Sequence, residues 1–318
     1  MLKDIDVLAM GEALIEFNQR STDSGSYDIG YGGDTSNCAI AAARLGATAA
    51  YMTRLGADTF GRRLLDLWAC EGVFTQGVVT EEGADTGVYF VTHDQVGHHF
   101  DYRRRDSAAS RLAERDVNAS LIARAKWLHV SGISQAISHS ALGAVDCAIA
   151  LAHQSGASVS YDLNFRPRLW SAQDALAAAK RVLPHCALFF PSLDEVQALT
   201  GLGSAAEVVA WAHDCGAAAV ALKLGAGGCL ISEGGRQEHF APTKVRPVDA
   251  TGAGDCFAGA FLSQLAAGRD HFSAARFANV AAALSTQGYG AVAPLPDRNM
   301  VMSLLSQMPE GVPILYTT

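Results

Sequence analysis

The chain lacks almost every mark of a secreted, membrane-bound or nucleic-acid-binding protein. It has no block of five like charges, and Asp plus Glu outnumber Lys plus Arg by 32 to 24, a formal charge of −8. A basic surface for phosphate backbones or anionic lipid is therefore missing. Small molecules become the default partners, with no nucleic acid and no membrane. No stretch reaches the eighteen or so apolar residues of a bilayer span. The opening segment MLKDIDVLAMGEALIEF carries Asp4, Asp6 and Glu12 where a secretory leader needs an unbroken apolar run. The cysteines (Cys38, Cys70, Cys147, Cys186, Cys215, Cys229, Cys256) are odd in number, scattered and never spaced as Cys-x-x-Cys. That pattern speaks against a disulfide framework or a zinc knuckle and for a reducing cytoplasm. No Pro- or Ser-rich linker, internal repeat or low-complexity tract divides the 318 residues, so a single domain over 1–318 is expected.

What the chain does have is two kinds of apolar pattern. From about residue 126 onward, WLHVSGI, SVSYDLN, CALFFPS and AAVALKL alternate with alanine-rich helical segments. Asp162, Ser192 and Lys223 end three of these runs at intervals of roughly thirty positions, the length of a βα unit. Because the runs are apolar on both parities, they read as strands covered by helices on both faces and joined by right-handed crossovers. An open, mostly parallel α/β sheet follows, with ligands beyond the carboxyl ends of its strands.

The first hundred residues differ. SYDIGYGG, DTGVYFVTHD and GHHFDYRRRD alternate polar and apolar residues between Gly/Asp turns, as half-exposed antiparallel strands do. They predict a small β-sheet lid inserted from about 12–33 and 85–108. Between them, DTSNCAIAAARLG reads as a helix of the main body, with Asp34 or Thr35 as N-cap and Gly46 just past its end.

The chemistry concentrates in DATGAGDCFAGAFL, residues 249 to 262. Phe257, Phe261 and Leu265 recur at helical spacing, so Gly252 to Asp255 fall at a helix N-terminus. Unpaired N–H groups and the helix dipole make such an end an anion site, and glycine lets the backbone approach closely. It is not a P-loop, because Ala260 and Phe261 stand where Lys and Ser/Thr belong, nor a dinucleotide fingerprint, because Phe257 holds the third glycine position. Asp255 would repel an anion unless it has a chemical task. A general base beside a phosphate-stabilising turn has one, taking the proton of an attacking hydroxyl while the Ala253 and Gly254 N–H groups stabilise the phosphoryl charge. The alternative is a tight glycine turn with an acid answering the dipole.

DATGAGDCFAGAFL resembles the C-terminal signature of the ribokinase-like (PfkB) carbohydrate kinases, and YGGDTSNCAIAAARLGA, residues 31 to 47, resembles their N-terminal one. The two motifs stand in family order, so the resemblance spans nearly the whole chain. It implies a ribokinase-like open, mostly parallel sheet flanked by helices, with ATP and Mg²⁺ as cofactors and a monovalent cation left open. It makes Asp255 the catalytic base and Gly252, Ala253 and Gly254 the anion hole.

For ATP it implies Lys223, Gly225 and Gly228 in ALKLGAGGCLIS, Asn279 near the adenine, and Asn164, Ser192, Gly252 and Gly254. The glycines of that stretch also suit a plain hairpin. Glu195 in PSLDE matches the family's Asn-x-x-Glu glutamate, which helps hold Mg²⁺ through water, whereas Ser192 replaces the Asn.

For the sugar the resemblance implies Gly33, Asp34 and Asn37. Asp34 could instead cap the helix. Strand alternation puts Phe100, Tyr102 and Arg104 on one face of the lid and Asp101, Arg103 and Arg105 on the other, with Tyr89 on the neighbouring run. A guanidinium there suits a carboxylate better than a neutral hexose. Tyr-x-Arg together with DLNFRP, which supplies Asn164 and Arg166, resembles the 2-keto-3-deoxygluconate kinases of the family. The bland alternatives are a solvated basic edge for Arg103 to Arg105 and an internal ion pair for Arg166. His98 and His99 read as surface residues, and Trp68, Trp127, Trp170 and Trp211 as packing.

The expectation is a sugar-acid kinase making 2-keto-3-deoxy-6-phosphogluconate. A kinase for a neutral sugar such as fructose or ribose, or a non-catalytic sugar-acid sensor, is the alternative. Apolar lid faces with exposed edges further suggest a homodimer or higher homo-oligomer through the lid.

Overall fold

A computed structural model describes residues 3–20, 25–94, 98–308 and 314–315. Ten strands form one sheet. From β5 (Phe74–Glu81) it runs through β4 (Ala49–Gly56), β1 (Ile5–Met10), β8 (Ala125–Ser131), β9 (Ser158–Asp162) and β10 (Leu188–Phe190) to β11 (Ala219–Lys223), all parallel. The strands β12 (Cys229–Glu233), β13 (Arg236–Phe240) and β14 (Ile314–Leu315) extend it antiparallel. The apolar parity of the strands explains the layering. On β1, Leu8 and Met10 enter one core cluster and Val7 and Ala9 the other, and on β11 Val220 and Leu222 oppose Ala219 and Ala221. Each face of the sheet thus buries its own helical layer. Trp68 is fully buried, and Trp127, Trp170 and Trp211 pack against the two cores.

The lid is a separate four-stranded sheet of β3 (Tyr27–Gly32), β2 (Leu14–Gln19), β6 (Val88–His93) and β7 (His98–Arg103). Its strands fall within the two spans that sequence alternation marked. Among the described residues no helix is long and apolar enough to cross a membrane.

Strand order reverses at β1, which pairs β4 on one side and β8 on the other. Ligand crevices open at such reversals, beyond the carboxyl ends of the strands. Here β1 delivers Glu12, β8 delivers Ser131 and β9 delivers Asp162 and Asn164. The helix Asp34–Arg44 starts beside them. Its N-cap is Gly33 at φ 115, not Asp34 or Thr35, and no side chain caps it. Asp34 thereby becomes its first residue and is freed from capping. Gly46, at φ 97, lies just past its end as expected.

Candidate functional site

The helix Ala253–Ala266 supplies the centre of the site. Gly252 caps it at φ 75, and a Cβ there would stand 2.9 Å from the Cβ of Ala291. Asp249 fixes this turn, its Oδ1 accepting from Thr251 N at 2.9 Å and Thr251 Oγ1 at 2.7 Å, its Oδ2 from Gly290 N at 2.9 Å. One expectation needs correction. The Ala253 N–H is used inside the turn, donating to Ala250 O at 3.1 Å, so among the described residues the N–H groups left open at this helix start are those of Gly254 and Asp255.

Close helix packing aims the base. A Cβ on Gly259 would meet Cys38 O at 2.3 Å, so the small residues of both helices let their backbones nearly touch. That approach brings Asn37 Nδ2 to 2.8 Å from Asp255 Oδ2, which accepts its hydrogen bond. Asn164 Nδ2 likewise donates to Asp34 Oδ2 at 3.1 Å. Asp34 Oδ1 and Asn37 Oδ1 remain buried acceptors with no partner among the described residues. Burial, with the nearby Asp34 charge, pushes the Asp255 carboxyl up to about 8, against the Asn37 hydrogen bond and the Lys223 charge. Asp34 is raised for the same first reason, its burial.

A second group gathers around Lys223. Lys223 Nζ donates to Asp162 Oδ2 at 2.6 Å and would be 3.4 Å from a Cβ on Gly254, beside the anion-binding turn. Burial alone would lower its pKa, but Asp162 and Glu195 outweigh this and raise it. Ser192 bridges to Lys223 through the backbone, which places the start of the Leu193–Thr200 helix, and with it Glu195, next to the lysine. Glu195 Oε1 is 3.4 Å from Arg166 Nη1, while its Oε2 is buried with no hydrogen-bond partner among the described residues. Burial pushes Glu195 up to about 7 despite Lys223.

The third group sits further along the sheet. A Cβ on Gly228, at φ 86, would meet Phe240 O at 2.0 Å, and Asn279 Nδ2 donates to Ala241 O at 2.6 Å. Gly228 and Asn279 thus converge on one segment after β13, with Gly225 in the open turn between β11 and β12.

The lid closes the other side. A cavity of about 120 Å³ gathers Gly33, Asp34, Asn37, Asn164, Gly252 and Asp255 from the body with Tyr89, Tyr102, Arg104 and Arg166. The Tyr89 and Tyr102 rings stack at 5.4 Å, and the Arg104 guanidinium lies 5.5 Å from the Tyr102 ring centre. Neither polar group is as free as alternation implied. The Tyr89 hydroxyl donates to Glu16, and Arg104 forms an ion pair with Glu12, which is 1% exposed. Burial raises the Glu12 pKa, Arg104 opposes this, and the charge of Asp34 adds to it. Arg105 does not sit apart from Arg104 as predicted, because β7 ends at Arg103 and the chain turns at Asp106, φ 60. The His99 ring pairs with Asp94 at the surface, and the His98 side chain lies outside the described residues.

Glu12, Glu16, Asp162 and Asp249 were not among the residues the motifs singled out as functional. Asp162 had been noted as a strand end, and Asp249 opens the C-terminal motif. Glu12 and Glu16, which interrupt the apolar run VLAMGEALIEF of residues 7 to 17, are the available signal.

A helix start with open N–H groups, a buried carboxylate beside it and a lid over a parallel sheet fit the class of small-molecule phosphotransferases. Comparison narrows the class. Residues 4–298 match the model of the pfkB family carbohydrate kinases, and the chain belongs to that family. It is 30% identical over 302 residues to the 2-dehydro-3-deoxygluconokinase of Escherichia coli K12, spanning 91% of this chain and 97% of that protein. It is 33% identical over 316 residues to fructokinase-1 of Oryza sativa subsp. japonica, spanning 94% and 97%. Among solved structures, the Vibrio cholerae O395 fructokinase with fructose, ADP and a calcium ion superposes with a TM-score of 0.86 at 29% identity, covering 95% of this chain and 99% of that one. The chain is an ATP-dependent carbohydrate kinase of the pfkB family.

Proposed function

We propose that this kinase phosphorylates 2-keto-3-deoxygluconate on its 6-hydroxyl, giving 2-keto-3-deoxy-6-phosphogluconate. The observation that carries this reading is Arg104, placed in the sugar cavity on the same side as Tyr102 and Arg166. A guanidinium at the end of a polyol pocket binds a carboxylate through two parallel bonds and has no comparable use for a neutral hydroxyl. The E. coli 2-dehydro-3-deoxygluconokinase supports the acid, and the fructokinase likeness keeps a neutral ketose as the rival.

Asp255 takes the proton as the hydroxyl oxygen bonds to the γ-phosphorus and the bond from that phosphorus to the bridging oxygen breaks, leaving ADP. Asn37 holds Asp255 Oδ2, which leaves Oδ1 for the alcohol. The N–H groups of Gly254 and Asp255, with Lys223 beside them, offset charge on the transferring group. Asp34 Oδ1 and Asn37 Oδ1 are acceptors ready for sugar hydroxyls. Gly225, Gly228 and Asn279 lie around the segment proposed to flank the nucleotide base.

The acids Asp34, Asp162, Glu195 and Asp255 outnumber the bases Lys223 and Arg166, and Glu195 Oε2 is an orphaned buried oxygen, a donor set that fits a hard divalent cation. Among the described residues no three His, Cys, Asp or Glu side chains could hold a metal by themselves. Glu195 would therefore hold Mg²⁺ through water, and the ion when bound neutralises nucleotide phosphate charge.

Tyr27 and Ile29, 36% and 44% exposed on the lid, support the pairing of two lids in a homodimer. Sedimentation as a monomer at micromolar concentration would rule that out. The substrate is tested by ADP formation on 2-keto-3-deoxygluconate against fructose. A higher kcat/KM on fructose would reject the acid.

A further inference from the structure

The sugar cavity adjoins a second, larger one of about 540 Å³, and Tyr102, Arg104, Ile133 and Arg166 line both. Arg105, from the turn after β7, and Arg168, from the loop after β9, add two more guanidinium groups to its wall. The four arginines are not equivalent. Arg104 faces Glu12 and Arg166 lies 3.4 Å from Glu195, so each already has an acid beside it. Arg168 donates only to the carbonyl of Phe100, at 3.0 Å, and among the described residues neither it nor Arg105 has an acidic partner. The carboxylate lining the annex, Asp101, is paired with Arg103. The floor is apolar, made by Ile133, Ala136, Ile137 and Leu169. On a chain of net charge −8, a concave pocket with two uncompensated guanidiniums is a local reversal of sign.

We propose that Arg105 and Arg168 form a second oxyanion subsite, next to the sugar pocket and distinct from Arg104, that takes a carboxylate or phosphate group. On the sugar-acid reading, the six-carbon acid places its primary hydroxyl at Asp255 and its carboxylate at Arg104, which line one cavity, so Arg105 and Arg168, which line only the second, lie beyond it. The oxyanion then has two sources. It is either the anionic end of a longer or doubly acidic sugar derivative, or a free anion that binds beside the substrate. This deepens the sugar-acid reading and depends on it only for the identity of the sugar.

The test compares wild type with R105Q/R168Q and R105K/R168K, at saturating ATP so that the nucleotide site is filled. Inorganic phosphate is the probe, read as inhibition against the sugar. The KM of the chain's acid substrate and of a doubly acidic derivative that keeps the primary hydroxyl are measured alongside. The Gln pair should weaken phosphate inhibition by about tenfold, as loss of charge-assisted hydrogen bonds predicts, and the Lys pair should restore part of it. If only phosphate inhibition changes, the subsite serves a free anion. If the KM of the doubly acidic derivative also rises, it serves the substrate's own far end. Equal phosphate inhibition and equal KM values in wild type and the Gln pair would overturn the subsite. Should fructose prove the better substrate, the sugar-acid reading fails, yet phosphate inhibition against fructose still reads the annex independently.

Discussion

The two walls of the sugar pocket are built on opposite terms. The body wall is rigid: Asp34, Asn37 and Asp255 sit on helices whose backbones touch at Gly259, and each acid is fixed by an amide. The lid wall is a four-stranded sheet with half-exposed aromatics, and its buried charges are tied inward, Glu16 by the Tyr89 hydroxyl and Arg104 by Glu12 from the body. The difference separates the tasks. On the proposed reading, the chemistry, which requires sub-ångström placement, stands on the scaffold, while choice of substrate stands on the lid.

The sharpest way to break the comparison is at the body wall. Asp255→Asn should lower kcat by roughly 10²- to 10⁴-fold and leave ATP binding intact by calorimetry. Turnover within a few fold of wild type would remove the base from this wall. On the lid wall, Arg104→Ala should lower kcat/KM for the acid on the order of 10²-fold and far less for fructose. An equal loss on both sugars would make the arginine structural. The walls should also separate in their pH response. Asp255 acts ionised and is raised to about 8, so kcat/KM should climb with pH through that value. Because the Asn37 bond favours the ionised form, Asn37→Leu should move the rising limb upward, and an unmoved limb would dissociate Asn37 from the base. The smallest effect is expected at Tyr102, exposed on the lid: Tyr102→Phe should change thermal stability by less than about 1 kcal/mol, since it removes one hydroxyl with no buried partner. A large loss there would show the lid to be as tightly knit as the body.

Legibility followed the same division. The parallel sheet could be read because strands such as β1 and β11 are apolar on both parities, and the catalytic turn because glycines and an acid at a helix start are unusual together. Cross-chain partners were not legible. Nothing in YRRRD says that Arg104 meets Glu12 some ninety residues earlier, since a strand pattern gives the facing of a side chain and not what stands opposite. The same holds for Asp162 and Lys223. The Asp34 cap failed for a local reason: Gly33 takes a φ that an L-residue resists, so it ends the loop itself and the acid moves inside.

The Glu12–Arg104 pair has a consequence for descent. Either residue changed alone leaves its neighbour's charge unpaired in a dry place, which costs stability while the fold persists, so a gene altering one letter passes through a less stable intermediate before reaching a new taste in sugars. Drift between acidic and neutral substrates in this lineage should therefore proceed by linked replacements at both positions, and the two ought to vary together wherever relatives have switched diet.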